Sequence, residues 1–186
     1  MRVIAGTARG RRLKSPPARP RGGAAPVRPS SDLMRGAIFS ALISLHVDLS
    51  RVLDIYAGSG ALGIEALSRG AECCDFIERD PAACAIIRDN LRLTGFEAKG
   101  VVHCIPAERA ATRLSGSYSL VLADPPYADA QASSVLQSLA SSALVERGHT
   151  ILVLEHGARS EPAAAVGPLA LLNSRRHGDS AVSIYR

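Results

Sequence analysis

The chain has no tryptophan, and only three phenylalanines and four tyrosines among 186 residues. With 47% of its residues hydrophobic, its core must be aliphatic. No apolar run approaches the roughly 20 residues of a membrane span. The opening MRVIAGTARGRRLK lacks the long apolar segment of a secretory signal. A soluble, cytoplasmic protein with no membrane partner is expected. Cysteine is scarce: Cys73, Cys74, Cys84 and Cys104. None forms a CxxC pair, and no histidine stands at zinc-finger spacing from two of them, so no metal is expected. Cys73, Cys74 and Cys104 lie in apolar, strand-like stretches and read as buried, reduced thiols.

Acid is nearly absent from the first 36 residues. Arg2, Arg9, Arg11, Arg12, Lys14, Arg19, Arg21, Arg28 and Arg35 face only Asp32 there, a net charge of +8. The other 150 residues carry 13 basic and 16 acidic groups. A basic head on a mildly acidic body predicts a polyanionic partner for the head.

The length suits one domain with a small appendage. Residues 2–14 read as two short strands in a hairpin around Gly6–Gly10. Residues 15–29 hold five of the eleven prolines and form a linker. A helix over about 31–46 follows, with Ser30 or Ser31 as its cap and Met34, Ile38, Phe39, Leu42 and Leu45 on one face. Strands and helices then alternate. Strands are predicted at 51–57, 73–78, 100–105, 118–124 and 149–155. Helices are predicted at 61–69, 81–93, 107–114 and 129–143. The stretch 168–186 reads as two strands joined near Arg175–Ser180. This order predicts a parallel α/β sheet with an antiparallel hairpin at its edge.

Two motifs carry chemistry. The first βα turn reads Asp54-Ile-Tyr-Ala-Gly58-Ser59-Gly60, then Ala-Leu-Gly63. Glycines here let the backbone turn tightly and approach a ligand. No Lys-Ser/Thr follows, so this is not a P-loop. The G-x-G-x-x-G spacing also admits a nicotinamide cofactor. Asp54 is an acid inside a strand, costly unless something binds it. Glu78 ends the second strand, 18 residues after Gly60, where a carboxylate accepts both hydroxyls of a ribose. The second motif, LVLADPPYAD, follows the fourth strand and places Asp124, Pro125 and Tyr127 at its tip.

DIYAGSGALGIEALSRGA with FIERD resembles the cofactor motifs of class I S-adenosylmethionine-dependent methyltransferases. DPPY resembles the D/N-PP-Y/F motif of those that modify exocyclic or amide nitrogens. The resemblance implies a Rossmann-like fold with a seven-stranded, mostly parallel sheet. It implies that Asp54, Ala57, Gly58, Ser59, Gly60, Glu78, Arg79, Ala107, Glu108 and Asp124 hold S-adenosylmethionine. Such an amino nitrogen is a poor nucleophile, its lone pair delocalised into the ring. Asp124 and the Pro125 carbonyl could each accept one of its N–H groups, with the prolines fixing the carbonyl's direction. Tyr127 could stack on the base.

The opening RVIAGTARGRRLKSPP and VRPSSDLMRGAIFSAL are similar to the N-terminal pattern of the RsmD-type family, the 16S ribosomal RNA guanine-N2-methyltransferases. Arg2, Gly6, Arg9, Gly10, Arg12, Leu13, Arg28, Pro29, Asp32, Arg35, Phe39 and Leu42 match it. Leu33, Gly36 and Ser40 depart from it, and a glycine inside a helix costs about 1 kcal/mol against alanine. The resemblance implies methylation of one guanine N2 in small-subunit RNA, late in assembly. Residues 1–29 would be a basic RNA-binding hairpin and linker, and 30–186 the catalytic domain. Arg9, Arg11, Arg12, Lys14, Arg28 and Arg35 would grip RNA. Nothing demands more than a monomer. A DNA adenine-N6 methyltransferase shares the motif order but usually carries a separate recognition domain. A protein-glutamine methyltransferase would favour NPPY, and a noncatalytic RNA chaperone would transfer no methyl group. His103 and His149 read as core or strand-end residues, and His156 lies near the site.

Overall fold

A computed structural model describes residues 1–15, 30–126 and 129–186. Helix α1 spans Ser30–Ser44. There follow β1 (Arg51–Ile55), α2 (Ala61–Ser68), β2 (Cys73–Glu78), α3 (Pro81–Thr94) and β3 (Gly100–Cys104). A 3-10 turn at Ala107–Arg109 leads into α4 (Ala110–Arg113), then β4 (Leu120–Ala123), α5 (Ala132–Ala140) and β5 (Ile151–Gly157). The chain ends in β6 (Ala165–Val166), β7 (Leu169–His177) and β8 (Ser180–Tyr185).

The strands form one sheet in the order β3-β2-β1-β4-β5-β8-β7-β6. The first five are parallel, and β8, β7 and β6 add antiparallel pairs. The doubly wound architecture is the expected one, with eight strands rather than seven. The additional strand is β6, two residues paired across Gly167 with Leu169 and Ala170. So short a strand leaves no alternation to read. The order reverses between β1 and β4, and in such sheets ligands bind at that switch point, beyond the carboxyl ends of the strands.

The two central strands β1 and β4 are buried almost throughout. Val52, Leu53, Ile55, Leu120, Val121 and Leu122 have no accessible surface. One apolar layer joins Val52, Leu120, Leu122 and Val153 to Met34, Ile38, Phe39 and Leu42 of α1, Ile64 and Leu67 of α2 and Ile87 and Leu91 of α3. On the other face, Leu53, Ile55, Val121 and Leu152 pack against Ala110 of α4 and Val135, Leu136 and Leu139 of α5. Helix α3 is set by its ends. The Asp80 carboxylate accepts the Ala82 N–H at 3.0 Å, Pro81 occupies the first turn, and Gly95 closes the helix at φ 81°.

Helix α5 is shorter than the predicted 129–143. A turn from Asp129 N–H to the Pro126 carbonyl (2.8 Å) precedes it, and Ser142 caps its end by donating to Leu139 O at 2.7 Å. The N-terminal strand pair is a single antiparallel bridge, Arg2 with Arg12. The hairpin packs on the body. Val3, Ala8 and Leu13 are buried in the α1–α3 layer. The expected linker at 15–29 and boundary after residue 29 fall on 16–29, outside the described residues, as do the cap side chains of Ser30 and Ser31.

All four cysteines are free thiols, but Cys73 and Cys104 are exposed and only Cys74 and Cys84 are buried. Cys73 begins β2, and Cys104 ends β3, the sheet's edge strand. His103 is paired with Asp75 (2.8 Å), and His149 lies 3.7 Å from Asp48. His156 bonds Ser183 Oγ at 2.8 Å and does not line the site described next.

Candidate active site

Above the tips of β1, β2 and β4 lies a cavity of about 570 Å³, a size typical of small-molecule sites. Its floor is the turn after β1. Strand β1 stops because Tyr56 takes φ 65°, a left-handed conformation rare for a side chain of that size. The Ala57 N–H then donates to Ile77 O of β2 (3.0 Å), and Gly60 N–H closes back on Ala57 O (2.7 Å). Gly60 itself adopts φ 76° and starts α2. Gly63 lies against β2, where an added Cβ would come within 2.4 Å of Phe76 Cε1. Only glycine lets α2 approach the sheet this closely.

Asp54 and Glu78 are held by the same turn. The Gly63 N–H donates to Asp54 Oδ2 at 2.8 Å, fixing α2 to β1. Burial pushes the Asp54 carboxyl well up. The Gly63 N–H opposes this, and the Asp124 and Glu78 charges push it further up. Glu78 accepts the Gly58 N–H (2.9 Å) on one oxygen and the Asp80 N–H (2.9 Å) on the other. Its carboxylate is therefore oriented before any ligand arrives. Asn90, buried in α3, donates to Ser59 O (2.9 Å) and Lys14 O (3.0 Å), tying the turn to the N-terminal hairpin.

The structure brings Asp54, Ala57, Gly58, Ser59, Glu78, Arg79, Ala107, Glu108, Asp124 and Pro125 into this one wall. Gly60 is buried behind it and shapes the turn instead of lining it. Tyr127 and Arg28 lie outside the described residues. Several wall residues were not predicted: Tyr56, Ile77, Ile105, Asp129 and Glu155, with Met34 and Ile38 from α1. The Tyr56 hydroxyl is buried with no hydrogen-bond partner among the described residues. Burial, aided by Asp129 and Glu108, raises it to about 12. No polar pattern in the sequence marks Tyr56, because its role follows from the backbone turn.

Arg35 departs from expectation. Its side chain is 4% exposed and is held by Asp32 (2.9 Å), Glu65 (3.6 Å) and the Arg2 carbonyl, so it cannot grip RNA. It lines the cavity instead. Arg9, Arg11, Arg12 and Lys14 are exposed. Lys14 is paired with Asp89 at 2.8 Å. The hairpin turn is docked on Ser68, the last residue of α2, through Thr7 N–H to Ser68 O (2.8 Å). Ser68 lies about 9 Å along α2 from Leu62, which lines the cavity.

Among the described wall residues, six are acids (Asp54, Glu78, Glu108, Asp124, Asp129, Glu155) and two are arginines. Such a wall favours a cationic ligand and opposes a pyrophosphate. The nicotinamide-dinucleotide reading weakens accordingly. Asp124 is accessible through the cavity mouth, yet protein packs closely round it. Burial, with the Glu155 charge adding, pushes its carboxyl up to about 7.

That shift has a stability consequence. In the unfolded chain this carboxyl loses its proton near pH 4, whereas the folded protein keeps it up to about pH 7. The folded state thus binds more protons in that window, and Asp124 erodes stability as pH rises through it. Asp124→Asn should melt at a higher temperature than wild type at pH 8. The gain should vanish near pH 4, as measured by thermal denaturation at both values.

The model of the family described as Conserved hypothetical protein 95 matches residues 1–186. The Bacillus subtilis (strain 168) protein named "Putative rRNA methyltransferase YlbH" is 34% identical over 189 residues, spanning 100% of this chain and 98% of its own. Ribosomal RNA small subunit methyltransferase D of Escherichia coli (strain K12) is 35% identical over 127 residues, 68% of this chain and 60% of its own. The solved structure of "Putative methyltransferase yhhF from Escherichia coli" superposes with a TM-score of 0.79 at 27% identity, covering 100% of this chain and 96% of that one. Matched from end to end and carrying the class I methyltransferase fold, this chain belongs to the Conserved hypothetical protein 95 family, the RsmD-type methyltransferases.

Proposed function

We propose that this protein transfers a methyl group from S-adenosylmethionine to the exocyclic N2 of a guanine in 16S ribosomal RNA, on an assembled or nearly assembled small subunit in the cytoplasm. The observation that carries the reading is a single acid-lined cavity joining the glycine turn after β1 to Asp124 and Pro125 after β4. The names of the relatives, both ribosomal RNA methyltransferases, support the choice of substrate.

The residues present fit the sulfonium cofactor. It carries a net positive charge, and six carboxyl-bearing residues border the cavity. Two buried polar atoms of wall residues, Tyr56 Oη and Arg35 Nε, lack a hydrogen bond among the described residues, though Arg35 Nε faces the Glu65 carboxylate at 3.6 Å. The Tyr56 hydroxyl suits a ligand rich in polar groups. Glu78 would hold the ribose, Ala107 and Glu108 would lie beside the adenine, and Asp54 with the turn Ala57–Ser59 would surround the amino-acid end, Arg79 adding a rim contact. When bound, the cofactor supplies an electrophilic methyl group.

The chain's own residues do the rest by positioning and electrostatics. Asp124 and the Pro125 carbonyl each accept one N–H of the target nitrogen and aim its lone pair. Pro125 is buried and cannot swing its carbonyl away. As the N–C bond forms and the methyl's bond to sulfur breaks, leaving a neutral thioether, the nitrogen would shed a proton and Asp124 would accept it. Tyr127 would cover the base. Arg9, Arg11, Arg12 and Lys14, with Arg28, would contact phosphates at a distance from the reacting atoms, fixing the subunit's orientation.

Loss of the ribose anchor isolates the cofactor half. Glu78→Ala should weaken binding of S-adenosylhomocysteine about 100-fold by calorimetry, since a charged acceptor of two hydrogen bonds is removed. A change within three-fold would remove Glu78 from the site. The function as a whole is tested by offering methyl-labelled S-adenosylmethionine with small subunits, naked 16S RNA, DNA and protein in turn. Label is expected in the small subunit, and label in DNA or protein alone would overturn the reading.

A further inference from the structure

We propose that Glu155 reads the N1–H of the target guanine, making Asp124 and Glu155 together a recognition pair for a base edge with two adjacent donors. The inference rests on the guanine-N2 reading above.

The sheet order supports it. Strands β1, β4 and β5 are neighbours, with the glycine turn after β1, Asp124 after β4 and Glu155 within β5. The last register pair of β4 and β5 is Ala123 with Leu154. Asp124 and Glu155 come next, side by side. In-register residues of parallel strands point to the same face, and neighbouring strands lie about 4.8 Å apart. Both residues line the same cavity. Glu155 thus lies on the side of Asp124 away from the cofactor turn, where the rest of the target base must extend.

The chemistry of the base edge selects between purines. Guanine presents N1–H and the N2 amino group next to each other, both donors. Adenine presents its amino group beside N1, which is an acceptor. Two neighbouring carboxylates match the first pattern and repel the second, because the acceptor N1 would face a carboxylate with no proton between them. Behind the effect of burial, repulsion from the Glu155 charge raises the Asp124 carboxyl in the free protein. Two N–H donors from one base relieve it.

The test replaces guanine at the methylated position by 2-aminopurine, which keeps the N2 amino group but lacks the N1 hydrogen. Substrates are reconstituted small subunits, and kcat/KM is measured for wild type and Glu155→Gln. Gln offers N1–H its carbonyl oxygen and offers an unprotonated N1 its amide N–H. Wild type should prefer guanine by about 100-fold, a range set by losing one hydrogen bond to a charged acceptor. In Glu155→Gln the preference should fall below about ten-fold, while S-adenosylhomocysteine binding stays within three-fold and the melting curve remains cooperative. If both substrates lose activity equally and the ratio stands, Glu155 is merely structural and the inference fails. If wild type yields no N2-methylguanine, the guanine-N2 reading fails and the inference with it.

Discussion

Asp124→Ala is expected to lower turnover by about 10³-fold, the scale of removing one preorganised charge contact to the reacting atoms. S-adenosylhomocysteine binding should change by no more than a few-fold. The split follows from the site's geometry. The cofactor's hydrogen bonds are assigned to the turn after β1 and to Glu78, whose carboxylate is already held by the Gly58 and Asp80 N–H groups. Asp124 stands on β4, across the switch point, and its task arises only when a nitrogen is presented. Removing it leaves only Pro125 O of the two acceptors assigned to the target amino group, and the lone pair is no longer aimed. Single-turnover kinetics with saturating cofactor separate the two effects. Turnover within a few-fold of wild type would assign Asp124 to the wall alone.

Glu65→Ala should destabilise the fold by about 3–5 kcal/mol, the usual cost of breaking a buried ion pair by removing one partner. Glu65 has no accessible surface and serves four groups. Its oxygens accept the Ile4 and Ala5 N–H groups at 2.7 and 3.0 Å. The same carboxylate pairs with Arg69 at 2.7 Å and Arg35 at 3.6 Å. Among the described residues, deletion leaves Arg35 (4% exposed) with Asp32 and the Arg2 carbonyl, and it frees two backbone donors. Because typical domains are stable by only 5–15 kcal/mol, urea denaturation should show a large fall in midpoint. Glu65→Gln keeps one acceptor for the hairpin but not the charge, and should lie between the two. A fall below 1 kcal/mol in Glu65→Ala would mean that apolar contacts of Val3 and Leu13 alone dock the hairpin.

Glu65 also marks where sequence reading ran short. An acid inside ALGIEALS, a helix otherwise apolar, was a visible signal of a buried partner. Asp54 drew that inference because it stood in a strand, and Glu65 did not because helices usually expose their charges. Arg35 was misplaced for the same reason: beside Asp32 on its own helix, its partners Glu65 and the Arg2 carbonyl come from α2 and the hairpin, which no local pattern joins to α1. Exposed Cys73 and Cys104 show the reverse error. Their flanking residues are apolar, but strand ends and edge strands leave side chains uncovered that a central strand would bury. The parts that were legible, the turn at Asp54–Gly63, Glu78 and the Asp124–Pro125 tip, are those whose chemistry is local. Glycine, proline and an acid at a strand end each have few other uses there. Glu155 escaped because its meaning depends on β5 lying beside β4, a fact of topology.

The account stands on one cavity serving both donor and acceptor. The most direct measurement is a crystal structure of the protein soaked with S-adenosylhomocysteine. The account predicts the ribose hydroxyls on Glu78 and the sulfur directed along the cavity toward Asp124 and Pro125. Ligand bound with its sulfur turned away from the β4 tip, or seated outside this cavity, would contradict it.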